Sequence, residues 1–384
     1  MRKKILFVYY QNIKSGGVAK VLTNLANELV SEGYQIDILF LMSEHDDFYP
    51  LDQRIRKHYV DSFSFWTFKV CKFNKKHLRF IPKLNNMNAY IYQLGVNILM
   101  DGWLKQNHMK YDLIISCWYK LSCTLAVNRK INRKTIAWEH TNHKVGGVFW
   151  NRLKLRYKNF YKIVCLNQDD YSYYKAINPE TFVIGNMMDG HIENQTFIPK
   201  EKKDNVITMI ARLDEDKNVL EFMEIIKEAE LPSDWTVQIV GDGPQMAVVK
   251  DYIYNNSLSN VFLLGQLDAD NVRKILSRSK ISCLTSLREG FGVVLIEAMF
   301  SSNALIAYNC PSGPSEIVNK QNGFLVPLGD KKEFKEKLKY LMQNPKILDD
   351  LMKSSYSESE KWKKNLIIDK WDLLLNEMEL KANI

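Results

Sequence analysis

The stretch Ser286-Leu287-Arg288-Glu289-Gly290-Phe291-Gly292-Val293-Val294-Leu295-Ile296-Glu297-Ala298-Met299 constrains this chain more than any other. An apolar run, 281–285, precedes it and reads as a buried parallel strand, and a helix is expected from about Val293. Two glycines flank Phe291 at the turn between them. A helix N-terminus carries about half a positive charge and unpaired N–H groups, so it takes a phosphate readily. Gly290 and Gly292 let the backbone come close to such a ligand. Glu289 then faces whatever lies beyond the phosphate, and Glu297, further along the helix, is placed to accept hydrogen bonds from a sugar diol. The arrangement suits a nucleotide-sugar, although a Rossmann turn with surface acids would show the same letters.

The bulk of the chain bounds the possibilities. Its 384 residues suffice for two domains with full cores. The net charge of +9 and pI of about 9.0 suit an anionic partner, whether nucleotide, nucleic acid or an acidic membrane surface. No apolar run approaches the roughly 20 residues that span a bilayer. The basic, then apolar N-terminus resembles a signal peptide superficially. Its run is short and ends at Gln11-Asn12 without a small-residue cleavage site, so a first strand is expected, and a cytoplasmic protein with it. Six scattered cysteines (71, 117, 123, 165, 283, 310) form no C-x2-C pair and read as buried thiols in a reducing compartment.

A strand is expected at 4–10, then Gly16-Gly17, then a helix with Val18, Val21, Leu22, Leu25 and Leu29 that closes at Gly33, then a strand at 34–41. This βαβ opening predicts a parallel sheet covered on both faces. Further strands are expected at 111–117, 134–138, 162–166 and 181–185. After the second of these comes Glu139-His140-Thr141-Asn142-His143, and a histidine at the carboxyl end of a parallel strand faces the place where ligands bind. A third ligand that would make His140 and His143 a metal site is not evident.

Residues 54–83 mix basic side chains (Lys69, Lys72, Lys75 and Lys76 among them, with Arg79 and Lys83) with aromatics such as Phe65, Trp66, Phe73 and Phe80, and Asp61 is the sole acid. Such a mixture suits an anionic membrane surface, a solvated face over a local core, or, less well, single-stranded nucleic acid. A second basic amphipathic stretch begins at Trp150, within 150–162, and favours the inner face of a membrane; no nucleic-acid partner is expected.

A polar connector follows, with the boundary between domains near 188/189. The second domain opens on a strand at 206–210, followed by Ala211-Arg212-Leu213-Asp214-Glu215-Asp216-Lys217-Asn218 and a helix. Strands are expected at 236–240, 261–264, 304–308 and 323–328. Two D-x-D patterns, at 214–216 and 268–270, abut helix starts, where acids are common; both read as structural, and no obligatory metal and no cofactor are expected.

These residues together resemble the retaining glycosyltransferases of family 4, which have the GT-B fold and an E-x7-E signature. Glu289 and Glu297 fill its acidic positions, and Glu-Gly-Phe-Gly is its usual core. The resemblance implies an α/β chain of two Rossmann-like doubly wound domains facing a central cleft: 1–188 on the acceptor side, 189–355 binding the nucleotide-sugar, and a helix at 356–384 that packs back on the first. It places Glu289 at the transferred sugar, Glu297 at the ribose, and Arg212 and Lys217 at the diphosphate. Permanent cations are needed there because the leaving group gains negative charge. His140 would contact the sugar or shape the reaction centre, and Gly16 and Gly17 would form the first-domain loop near it. Gly241, in Gly-Asp-Gly-Pro, and Gly265 would lie beside the nucleotide and base or simply make turns, while Gly290, Phe291, Gly292 and Val293 complete the donor contacts. The segment 183–189 is similar to the family's hinge, and 309–318 to a subgroup of bacterial surface-polysaccharide enzymes. Phe300-Ser301-Ser302-Asn303 departs from the commoner small-residue, Gly-x-Pro pattern.

The implied activity is transfer of a hexose or N-acetylhexosamine from a UDP-sugar to a hydroxyl of a growing cell-surface glycan, for example a lipid-linked oligosaccharide, capsule, teichoic acid or lipopolysaccharide. Electrostatics and positioning would lower the barrier, with closure of the domains excluding water. A sugar-nucleotide hydrolase or epimerase on the same scaffold, and a non-catalytic basic protein at a membrane, are the competing readings.

Overall fold

The computed structural model describes residues 2–13, 16–78, 84–188 and 190–381, with the backbone alone at 85–86, 190–191 and 377–381. Arg79, Phe80 and Lys83 of the basic stretch, and Asp189 of the expected hinge, lie outside the described residues. Contacts divide the chain into two compact units, Met1–Ile184 and Gly185–Ile384. The division thus falls at 184/185 instead of 188/189. Residues 356–384 do not stand apart either: the Pro345–Ser359 helix runs through their start, and the terminal helix Lys364–Lys381 is counted with the second unit.

The first unit holds seven parallel strands: β1 Lys4–Tyr9, β2 Gln35–Phe40, β3 Arg56–Tyr59, β4 Leu113–Ser116, β5 Thr135–Trp138, β6 Lys162–Cys165 and β7 Thr181–Val183. Their order is β3-β2-β1-β4-β5-β6-β7. Strands buried on both faces need near-continuous apolar sequence, and β4, Leu-Ile-Ile-Ser, is buried at every position. The helices that matter below are α1 Gly17–Ser31, α2 Trp66–His77, α3 Leu84–Asn107, α4 Tyr119–Val127 and α5 Gly147–Lys154. Burial of Val21, Leu22, Leu25 and Leu29 on α1 follows its periodicity. Within 54–83, Arg56–Tyr59 makes an edge strand whose charged side chains hide any strand pattern.

The second unit has six parallel strands: β8 Val206–Ile210, β9 Thr236–Val240, β10 Val261–Gly265, β11 Ile281–Leu284, β12 Ala304–Asn309 and β13 Gly323–Pro327. The order is β10-β9-β8-β11-β12-β13. Both sheets therefore run outward from their first strand, return, and continue on its other side. The winding reverses between β1 and β4 in one unit and between β8 and β11 in the other, and ligands of doubly wound folds bind outside the carboxyl ends of such strands. Lys203, 6% exposed, braces the opposite end of the second unit. Its Nζ donates to the Ser279 and Ser301 carbonyls at 2.6 and 2.5 Å and to Asn303 Oδ1 at 2.7 Å. The C-terminal ends of two helices, Ala269–Arg278 and Val293–Phe300, thereby share one amine, whose pKa burial lowers to about 7.

Candidate active site

At the carboxyl edge of the second sheet, three loops interlock through their backbones. Ala211 N–H donates to Val240, Leu213 N–H to Asp242, and Gln245 N–H to Leu213, at 2.9–3.0 Å. Gly241 N–H donates to the Gly265 carbonyl at 2.8 Å. Gly241 sits at φ +136°, and a Cβ there would run into the Ala211 carbonyl oxygen, so glycine is required. Gly265 also adopts positive φ, +68°, but has open space above it.

The loop from β8 carries the cations. Asp214 accepts Lys217 N–H at 3.2 Å with one side-chain oxygen and the Arg212 guanidinium with the other, Nε at 2.6 Å. Thr285, just past β11, is within 3.3 Å of the Lys217 and Asn218 carbonyls with its hydroxyl. Held from both sides, Lys217 reaches across the switch point, and its Nζ pairs with Glu289 Oε1 at 2.6 Å. Ser286 Oγ donates to the same oxygen at 2.6 Å. Glu289 is the less exposed partner, 9% against 24% for the lysine side chain. Two charge-assisted hydrogen bonds pin its carboxylate. A cation and an acid thus meet at one point, from two strands that are adjacent only because the winding reverses there. Arg212 behaves otherwise: its side chain is 72% exposed and paired with Asp214, not with Glu289.

The turn that follows Glu289 is fixed by packing. Gly292, at φ +88°, is the N-cap of the Val293–Phe300 helix. Phe291, expected among the donor contacts, is 2% exposed, with its ring edge-on to Trp362 at 5.3 Å. Its side chain is an anchor of the loop, which leaves only its backbone for a ligand. Gly313, at φ +118°, lies so close to Phe291 that a Cβ would strike the Phe291 backbone. The first turn of the helix, from Val293, has N–H groups with no partner inside the helix, and Gly290 is half-buried beside them. Glu297 is buried one helical turn on. The acids of the two D-x-D patterns are engaged locally. Asp214 and Asp268 are N-caps, while Asp216 and Asp270 pair with Arg288 and Arg273 at 2.6 and 3.0 Å.

Gly16, Gly17 and His140 belong to the first unit. Gly16 is extended, φ −172°, and neither glycine has a neighbouring atom where a Cβ would stand. His140 follows β5, buried, with its ring 4.3 Å from that of Trp138. Burial pushes its pKa down to about 3, so the imidazole is neutral near pH 7. Its Nε2 has no hydrogen-bond partner among the described residues. Glu139 points into the core, accepting from Tyr157 Oη at 2.9 Å, and burial raises its pKa against the opposing charge of Lys154. Lys154, itself buried, donates to the His143 and Val145 carbonyls at 2.6 and 2.8 Å and so holds the loop after His140. His143 lies near Asp169 and Asp170. Asp170 accepts His143 N–H and Asn167 Nδ2, both at 2.7 Å, which makes the group a brace for the loop.

Sequence reasoning passed over Ser286 and Asp214 as functional groups. Asp214 was detectable only as a helix-start acid, and nothing in the local pattern marks Ser286. It also passed over a set of half-buried rings at the carboxyl edge of the first sheet. Tyr10, after β1, lies 5.6 Å from Trp118, after β4, and 6.4 Å from Phe63.

The chain resembles known proteins in sequence and in fold. Residues 191–358 match the family model of the glycosyl transferases group 1. The chain is 24% identical over 379 residues to the amylovoran biosynthesis glycosyltransferase AmsD of Erwinia amylovora, covering 97% of this chain and 99% of that one. It is also 24% identical over 388 residues to a Campylobacter jejuni alpha-1,4-N-acetyl-D-galactosaminyltransferase named for an undecaprenol-diphosphate-linked acceptor, covering 98% and 99%. Among solved structures, Anabaena HepE in complex with UDP superposes with a TM-score of 0.74 at 18% identity, over 97% of this chain and all 100% of that one. The fold is GT-B: two Rossmann-like α/β units, each built on a parallel sheet.

Proposed function

We propose that this protein is a retaining glycosyltransferase that moves a hexose or N-acetylhexosamine from a UDP-sugar to a hydroxyl of a growing bacterial cell-surface glycan, with a lipid-linked glycan the favoured acceptor. The observation that carries the reading is the Lys217–Glu289 contact, 2.6 Å, set at the β8/β11 switch point beside a glycine turn and a helix N-terminus. In the proposed reaction the bond from the sugar C1 to the diphosphate oxygen breaks, and the acceptor oxygen bonds to C1 on the same face. The departing phosphate oxygen takes the acceptor's proton. Lys217 and Arg212 offset the charge that grows on the diphosphate, and no obligatory metal is assigned. Glu289 orients the transferred sugar, Glu297 the ribose, and the neutral His140 Nε2 is available to a sugar hydroxyl. The full-length similarity to two bacterial glycan enzymes, one named for a lipid-diphosphate acceptor, supports the acceptor class.

The test is a panel of UDP- and GDP-sugars screened for thermal stabilisation. UDP release follows, with and without a lipid-linked glycan acceptor, and the product's anomeric configuration is read by NMR. Retention of configuration and acceptor-dependent release are expected. Equal release without acceptor makes the protein a hydrolase, and inversion removes the retaining assignment.

A further inference from the structure

We infer that the outer faces of α2, α3 and α5 form a seat for an anionic lipid surface. The inner face of α2 is already used: Thr67, Cys71 and Asn74 are buried, and Cys71 and Asn74 bond to Asn88 of α3. On the outer face, Trp66, Val70 and Phe73 recur at helical spacing, an apolar stripe that the fold leaves outside. Trp66 is 51% and Phe73 58% exposed. Lys69 and Lys76 adjoin the stripe, Lys72 and Lys75 lie further round the same helix, all four are exposed, and none has an ion-pair partner among the described residues. Isolated exposed apolar side chains mean little, but a periodic stripe bordered by lysines marks a surface-binding helix.

The neighbouring helices extend the surface. Tyr90 of α3 meets Phe149 of α5 edge-on, ring centroids 4.8 Å apart. Val148 beside it is 73% exposed. The sequence holds no acid from Ser62 through Met100, and none from His140 through Gln168. The unit that carries these helices also carries the protein's positive charge. The first unit has 28 Lys and Arg against 14 Asp and Glu, a net +14, whereas the second has 25 against 30, a net −5. A negative bilayer attracts such a face, while a second copy of the same face is repelled. Single-stranded nucleic acid is held in a charged groove, and rings exposed by half or more do not stand in one. Among the described residues no helix is long and apolar enough to cross a membrane, so the protein would rest on the bilayer.

This inference does not rest on the proposed reaction, and the readouts are separate. The full-length protein is sedimented with phosphatidylcholine vesicles that contain or lack phosphatidylglycerol. It should sediment only with the anionic vesicles and be released as salt is raised. Replacing Lys69, Lys72, Lys75 and Lys76 together by Ser should weaken partitioning roughly tenfold or more. Trp66→Ser with Phe73→Ser should also weaken it while leaving the salt dependence intact. Thermal stabilisation by UDP should be the same in all variants, since none of these residues belongs to the second unit's candidate site. Failure of the wild type to sediment at low salt overturns the inference. So does equal sedimentation of wild type and both variants, or a dimer or oligonucleotide complex that the same substitutions abolish while vesicle binding is absent.

Discussion

The two units wind alike, each reversing after its third strand, yet their carboxyl edges are made of opposite materials. The second presents ions: Lys217 against Glu289, Arg212 against Asp214, Arg288 against Asp216. The first presents rings and a buried neutral imidazole, Tyr10, Trp118 and His140. A shared topology therefore fixes where a ligand goes, and the loops decide which. Ions match a leaving diphosphate, whose charge changes during bond breaking. Rings and a neutral imidazole match sugar faces and hydroxyls, whose charge does not.

The sharpest way to break this contrast is Glu289→Gln. The change keeps the shape, removes the charge and unpairs Lys217. Turnover should fall about 10²–10³-fold, the usual cost of losing one electrostatic stabiliser, with UDP affinity nearly unchanged. Calorimetry beside a rate assay checks this; equal losses in both would place the residue at the nucleotide instead. Next in size comes Gly241→Ala. Its φ of +136° and the crowding of the Ala211 carbonyl should destabilise the protein by at least ~2 kcal/mol. An unchanged chemical-denaturation midpoint would mean that the interlocked loops yield more readily than their hydrogen bonds imply.

Arg212→Ala should weaken UDP-sugar binding about 10- to 100-fold, or ~1.4–2.7 kcal/mol. The exposed guanidinium contributes nothing evident to the fold, so the melting temperature without ligand should stay put. Unaltered donor affinity would return Arg212 to a surface ion pair with Asp214.

The contrast also explains what could be read from sequence. In the second unit, β8 and β9 lie where the apolar runs end, because each run is bounded by a loop with a glycine or a capping acid whose backbone role is local. The E-x7-E stretch was readable for the same reason: strand, glycine turn and helix are contiguous. The Lys217–Glu289 contact joins residues 72 apart, so only the strand order creates it. Phe291 misled because its neighbours face the ligand while its ring faces Trp362. In the first unit the misses were larger. β3 is a charged edge strand, and α3, a 24-residue helix, has apolar side chains on its outer face as well as its inner one, which blurs its period.

A smaller effect tests the buried imidazole. The pKa of His140 drops from an ordinary 6.5 to about 3 on folding, so between those values the unfolded chain binds more protons. Its contribution to stability is then complete above about pH 6.5 and is lost as the pH falls, by up to ~1.4 kcal/mol per pH unit. Between pH 7 and pH 5 the wild type should lose stability relative to His140→Phe, as read from their denaturation midpoints. Parallel curves would mean that the imidazole protonates in the native state.

The smallest expected effect separates fold from ligand most cleanly. Gly17 begins α1, and no atom stands where its Cβ would be. Neither it nor Gly16 has the positive φ that makes Gly241, Gly292 and Gly313 irreplaceable. Gly17→Ala should therefore leave stability within about 0.5 kcal/mol, or raise it slightly by restricting the unfolded chain. If the diglycine exists so that a sugar can approach the backbone, the same substitution will raise KM or slow turnover in a protein that melts normally. Should both stability and kinetics be untouched, Gly16 and Gly17 are only a turn. In that case His140 and the rings after β1 and β4 are what the carboxyl edge of the first unit offers a ligand.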